Sequence, residues 1–324
     1  MTRRLIRPRR WRPPAVEDTG RTAPLTVLRR IATGGHGPED VLFDAQGRVV
    51  TGLADGTVLA IDPESGERTV LARTGGRPLG VEVCADGSLL VCDHDRGLLR
   101  VGSEVEVLVD EVDGQPLRFA SNVVQGPDGT IWFTTSSSRW HLDDYEGDMV
   151  EHSCTGRLVR RDPDGTVTTL LDGLAFANGL VLTPTHLLYA ETGRYRISRH
   201  WLATGRTDTF ADNLPGFPDN MSLGGDGLLW VAIAAPRNAL LDKLLPLPGF
   251  LRVLVWNLPD AIRPKAAPLA WVMAFDLDGT RVHDLRSGTG YGFVTSVAER
   301  AGTVVVGSLH EDDLAVVAKP EPPG

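Results

Sequence analysis

The chain is poor in cysteine, in aromatic residues and in long apolar runs. Its 324 residues include three cysteines, Cys84, Cys92 and Cys154. At least one thiol is therefore unpaired, a disulfide scaffold is excluded, and a reducing, cytoplasmic setting is expected. No stretch reaches the roughly 18 uninterrupted apolar residues of a membrane-spanning helix. The opening MTRRLIRPRRWRPPAVEDTG is Arg-rich but has no apolar run of signal-peptide length. It reads as a loosely ordered arm, residues 1–24, ahead of a single domain over residues 25–319. Positive charge is the minority: 33 Lys and Arg against 42 Asp and Glu leave a net −9, which argues against nucleic acid as a partner.

What the chain does have is a repeat. AQGRVVTGL at Gly47, ADGSLLVCD at Gly87, PDGTIWFTT at Gly129, GDGLLWVAI at Gly227 and RAGTVVVGS at Gly302 each place a glycine turn before a β-rich run. THLLYAET, after Pro184, lacks the glycine but falls in the gap. Gly47 to Gly87 spans 40 residues and Gly87 to Gly129 spans 42. Between these runs lie second pairs such as TGRLVRRDPDGTVTTLL, where the Asp164-Gly165 turn joins alternating strands. Four short strands in about 40 residues make one propeller blade. Six copies predict an all-β, six-bladed β-propeller.

One segment interrupts the period. Between Gly227 and Gly302 the interval grows to 75 residues, so residues 237–270 form an insertion in the fifth blade. Leu240, Leu241, Leu244 and Leu245 stand at helical spacing there, and prolines 246, 248, 259, 264 and 268 break the helix up. Two readings are open: a surface flap over an apolar patch, or a lid of short helices that shapes an apolar substrate pocket or touches a membrane or partner.

Four polar motifs recur at equivalent places in the repeat, each just before a strand-turn-strand signal: Glu39 in GPEDV, Asn122 in FASNVV, Asn178 in FANGL, and Asp219-Asn220 in GFPDN. They offer only oxygen, which suits Ca²⁺ or another hard divalent cation. Asn178 before Gly179 and Asp219 after Pro218 also read as turn formers. Glu39 is different, because a carboxylate opening the apolar run Val41, Leu42, Phe43 points into the channel and needs a partner there. For proton transfer the candidates are His94 with Asp93 in VCDHDRG, and His310 in GSLHEDD, since imidazole titrates near 6.5. His141 and His152 flank an acidic stretch and read as structural.

The runs FTTSSSRWHLDDYEGDMVEHSCTGRLVRRDPDG, LAFANGLVLT and LPGFPDNMSLGGDGLLWVAI, followed by RNALLD, resemble the strictosidine synthase-like branch of six-bladed propellers. That branch includes the adipocyte plasma membrane-associated proteins and is akin to the paraoxonases and the gluconolactonase/senescence marker proteins. The resemblance implies a divalent metal on the channel floor held by Glu39, Asn122, Asn178 and Asp219, with Asn220 adjoining. It also places His94 near the proposed catalytic histidine of paraoxonases. Plant strictosidine synthase condenses an amine with an aldehyde, without metal, through a Glu near the start of its last blade. Here Phe293, Val294, Thr295 and Ser296 occupy that stretch, and Glu299 is the nearest acid. The expectation is a calcium-dependent lactonase or esterase acting on a small molecule, with Phe293, Thr295 and Trp140 as substrate contacts. A synthase, cyclase or isomerase of a natural-product pathway, and a noncatalytic scaffold, are the alternatives.

Overall fold

A computed structural model describes residues 4–16, 20, 22–259 and 268–320; residues 260–267 of the insertion, Pro264 among them, lie outside the described residues. Six antiparallel sheets follow one another along the chain as the blades of a β-propeller. Their innermost strands are Leu42–Phe43, Pro78–Val83, Ala120–Gln125, Ala177–Leu182, Gly216–Leu223 and Val294–Arg300. The second strand of each blade is packed on both faces by its neighbours. That is why Leu89–Asp93, Ile131–Thr135 and Leu229–Pro236 read as near-continuous apolar runs rather than alternating ones.

The ring closes by joining the two chain ends. Val27–Ala32 pairs with Asp313–Val317, completing blade 6, and Ala23–Pro24 adds a short parallel edge to blade 5 beside Leu285 and Arg286. The sixth sheet is thus built from both chain ends, with Val27–Ala32 as its outer strand.

Helix among the described residues is limited to α1 (Glu146–Glu151), α2 (Ala239–Leu244), α3 (Phe250–Trp256) and two 3₁₀ turns. α2 and α3 lie in the fifth-blade insertion, as the repeat predicts. α1 comes from a second excursion, residues 136–155, between the equivalent strands of blade 3, and it packs against α3. The described part of the arm is not loose, contrary to the sequence reading. Its backbone binds the helices at Arg9 N–H to Glu151 O (2.9 Å) and Trp11 N–H to Leu245 O (3.2 Å). The fully buried Arg252 guanidinium donates to the carbonyls of Arg9, Val150 and Glu151. Trp11 stacks on His152 at 4.8 Å. The bonds to Val150 O, Glu151 O and Leu245 O satisfy carbonyls at the C-terminal ends of α1 and α2, which short helices leave without an internal partner.

Candidate functional site

The innermost strands carry a repeated irregularity. In blades 2 to 6 the register with the second strand slips at Pro78/Val81, Ala120/Val123, Ala177/Leu180, Pro218/Met221 and Val294/Ser296. These are β-bulges, and a bulge re-aims side chains. The first residue of each bulge pair, with Glu39 in blade 1, faces one common cavity of about 410 Å³: Glu39, Leu79, Ser121, Asn178, Asp219 and Thr295 form its floor. The second residue turns toward the next blade. Asp40 accepts from Val81 N–H (3.0 Å), Asn122 from Leu180 N–H (3.3 Å) and Ser296 from Val41 N–H (3.1 Å). In blades 2 and 4 this position is Gly80 and Gly179, where a Cβ would lie 2.4 Å from Ser121 O and 2.5 Å from Asp219 O.

Two residues upstream of four of these floor residues, at or just before the start of the innermost strand, comes a second storey. Phe119, Phe176, Phe217 and Phe293 line the cavity there. Three of them adopt left-handed backbone, with φ of 56°, 58° and 51° for Phe119, Phe176 and Phe293. Such a conformation costs a bulky residue roughly 1–3 kcal/mol. Above them Leu241, Leu244 and Trp256 close the roof.

The floor concentrates carboxyl groups. Asn178 donates to Asp219 (2.6 Å), and Asn220 donates to Glu39 Oε1 (3.0 Å) while accepting from Asn122 (3.1 Å). Glu39 Oε2 is buried and, among the described residues, has no hydrogen-bond partner. Burial first, and then the charges of Asp40 and Asp219, hold the Glu39 carboxyl well above its usual range. Burial likewise pushes Asp219 up to about 8 and Asp40 up to about 6. Arg77 is the cation that Glu39 feels, and its Nη2 donates to Gly37 O (2.8 Å).

Among the described residues no three His, Cys, Asp or Glu side chains are gathered as a metal cluster. The set here is carboxylates with amides instead. An Asn amide turned by half a rotation offers its oxygen where it offered nitrogen. The residues thus fit a hard divalent cation, with Glu39, Asn178 and Asp219 on the cavity floor and Asn122 and Asn220 beneath it.

The other expected site residues separate. His310 lines the cavity beside Thr295 and Phe293, its ring 4.6 Å from that of Phe293. Burial, and then the neighbouring His36, lower its pKa. His94 is not on the cavity wall. It sits behind Phe119 (ring centroids 5.1 Å), and its Nε2 accepts a 3.4 Å bond from Leu142 N–H. Asp93 builds a turn, accepting from the backbone N–H groups of Arg77, Asp95 and Arg96. Trp140 is fully buried, edge-on to Trp256 at 5.9 Å and packed with Ile6 of the arm, so it touches the lid rather than a substrate. Sequence reasoning named Phe293 but missed Leu79, Ser121, Asp40 and the other three phenylalanines, Phe119, Phe176 and Phe217. A signal was present: FASN, FANG, FPDN and FVTS all carry Phe two places before the floor residue.

Family models for strictosidine synthase and for the strictosidine synthase-like N-terminal region match residues 122–205 and 23–61. Protein STRICTOSIDINE SYNTHASE-LIKE 6 of Arabidopsis thaliana is 33% identical over 286 residues, covering 82% of this chain and 77% of that protein. The chain belongs to the strictosidine synthase-like family. The adipocyte plasma membrane-associated protein of Bos taurus is 32% identical, with 83% of this chain and 71% of that protein aligned. Among solved structures, a gluconolactonase of Xanthomonas campestris superposes with TM-score 0.65 at 20% identity, covering 96% and 99% of the two chains. The calcium-binding regucalcin of Agrobacterium tumefaciens gives 0.61 at 17%, covering 93% and 98%. A streptogramin B lyase gives 0.56 at 14%, covering 90% and 97%. These likenesses establish the propeller and leave the chemistry to the site.

In this strictosidine synthase-like chain the last blade puts Thr295 on the floor, with Ser296 beneath it bonded to Asp40. Glu299 lies elsewhere. Its carboxylate accepts from Asp226 N–H and Gly302 N–H and pairs with Lys319 at 2.8 Å.

Proposed function

We propose that the protein is a divalent-metal-dependent hydrolase of an ester or lactone with an apolar body, Ca²⁺ being the expected metal. The observation that carries this reading is Glu39 Oε2, a buried carboxyl oxygen that has no partner among the described residues and sits among mutually repelling carboxyl groups directly under an apolar cavity. A charge so placed is costly unless a cation completes it. A divalent cation bound there supplies a Lewis acid for the ester or lactone carbonyl.

The chain's own residues do the rest. The four phenylalanines and the lid leucines hold the apolar body of the substrate and exclude water from it. His310, neutral at pH 7 because burial lowers its pKa, is placed on the wall to take the proton from the attacking water. Thr295 offers a hydroxyl on the same side, although that hydroxyl donates to Glu39 O (2.7 Å). The gluconolactonase and regucalcin likenesses agree with this reading. The condensation chemistry of plant strictosidine synthase loses support, because the cavity face of the last blade carries no acid.

The test is a panel of aryl esters and lactones graded by chain length, assayed with and without chelator. Turnover that needs metal and favours apolar acyl chains supports the proposal. Metal-loaded protein that turns over no member of the panel would favour the synthase or isomerase alternative.

A further inference from the structure

Helix α3 is built inside out. Its sequence FLRVLVW has one charged residue, Arg252, and that residue is fully buried, whereas Phe250 and Leu254, one turn apart, are 61% and 62% exposed. Leu247, just before the helix, is 42% exposed, and Leu5 of the arm is 74% exposed. Residues spaced i, i+4 share a face. The outward face of α3 is therefore apolar.

Basic charge lies alongside. A Cβ at Gly249 would touch Pro8 at 3.0 Å, so the N-terminus of α3 rests on the middle of the arm. Around Pro8 the arm carries Arg4, Arg7, Arg9, Arg10 and Arg12, all exposed. Residues 1–16 hold six arginines and no acid, in a chain of net charge −9. The remaining residues are thus strongly acidic, and the positive charge is concentrated at the exposed apolar helix. Leu240 of α2, 42% exposed, lines the cavity together with Val255 and Trp256 of α3, so the insertion that carries the patch also walls the cavity.

We propose that the lid and arm together dock on an anionic lipid surface. Phe250, Leu254 and Leu247 enter the headgroup boundary, and the arm arginines neutralise lipid charge. The combination fits an anionic bilayer, because exposed apolar side chains stand beside a run of exposed arginines. Docking would present the cavity to apolar molecules dissolved in the bilayer. The inference is independent of the hydrolase reading, since no substrate enters its test.

That test is co-sedimentation of the full chain with vesicles of phosphatidylcholine, alone or with roughly 30% phosphatidylglycerol, at low and high salt. Binding to the anionic vesicles only, weakened by salt, is expected. Each basic residue near such a surface is worth about fivefold in partitioning, so Arg10→Glu with Arg12→Glu should lower it at least ~25-fold. Phe250→Ser with Leu254→Ser should lower it at least ~10-fold, with the melting temperature unchanged because both side chains are exposed. Equal binding to neutral vesicles, or none to either, overturns the proposal. A concentration-dependent dimer that the Phe250→Ser, Leu254→Ser variant abolishes would also overturn it, assigning the patch to a second copy of the chain.

Discussion

Asp219 and Glu39 gain from a cation what they lose by being buried together. Because desolvation, and then repulsion, raise both carboxyl groups, Asp219→Asn should leave the metal-free protein as stable as the wild type or more so, while abolishing the rise in melting temperature on adding calcium. In the wild type, ligand at about 100 times its Kd adds roughly 2.7 kcal/mol, a shift readable by calorimetry. An Asp219→Asn protein that still gains the full increment would show that the carboxylate is no ligand. The histidines divide in the same way. His310→Gln should lower turnover about 10²- to 10⁴-fold while calcium still raises the melting temperature. His94→Gln, with Phe119 between it and the cavity, should cost less than about tenfold. A reversed order of the two effects would return the base to His94.

At the scale of elements, the bulges and the lid decide what reaches the floor. Gly179 is held to glycine by Asp219 O at 2.5 Å from a would-be Cβ. Gly179→Ala should therefore destabilise by about 1–3 kcal/mol and weaken calcium binding, because relief requires moving the Asp219 backbone. Unaltered calcium affinity would mean that the blades adjust elsewhere. The lid has its own pH dependence. His152, stacked on Trp11, has its pKa lowered to about 3, by burial first and then by nearby arginines. The unfolded chain takes up this proton near pH 6.5, so the contribution is present above that pH and is lost on acidification. From pH 7 to pH 5 the loss is about 2 kcal/mol. Asp148 works in the opposite sense, since burial raises it to about 6. The quantity to measure is therefore the stability difference between wild type and His152→Phe, which should shrink by that amount across the interval.

At the scale of the whole molecule, the blade count and the place of the insertion were legible because period and turn chemistry are local. Gly47, Gly87, Gly129, Gly227 and Gly302 all adopt positive φ at hairpin turns, a requirement written in the sequence. Asn178 and Asp219 were legible as residues but not as bulge positions, since a bulge depends on pairing with the second strand. The docked arm was not legible at all. Its order comes from Arg252 and Trp256, more than 240 residues away in sequence, which bond to the carbonyls of Arg9 and Arg4. The position of His94 off the cavity wall was not legible either, because its neighbours in sequence say nothing of Phe119, which stands between it and the cavity.

The most direct test of the central claim is to strip the protein with chelator and titrate Ca²⁺ back while following hydrolysis of an apolar lactone or aryl ester. The account predicts that activity falls to background on stripping and returns saturably with one equivalent of metal in the wild type, but not in Asp219→Asn. Hydrolysis indifferent to the chelator, or no hydrolysis at full metal occupancy, would contradict it.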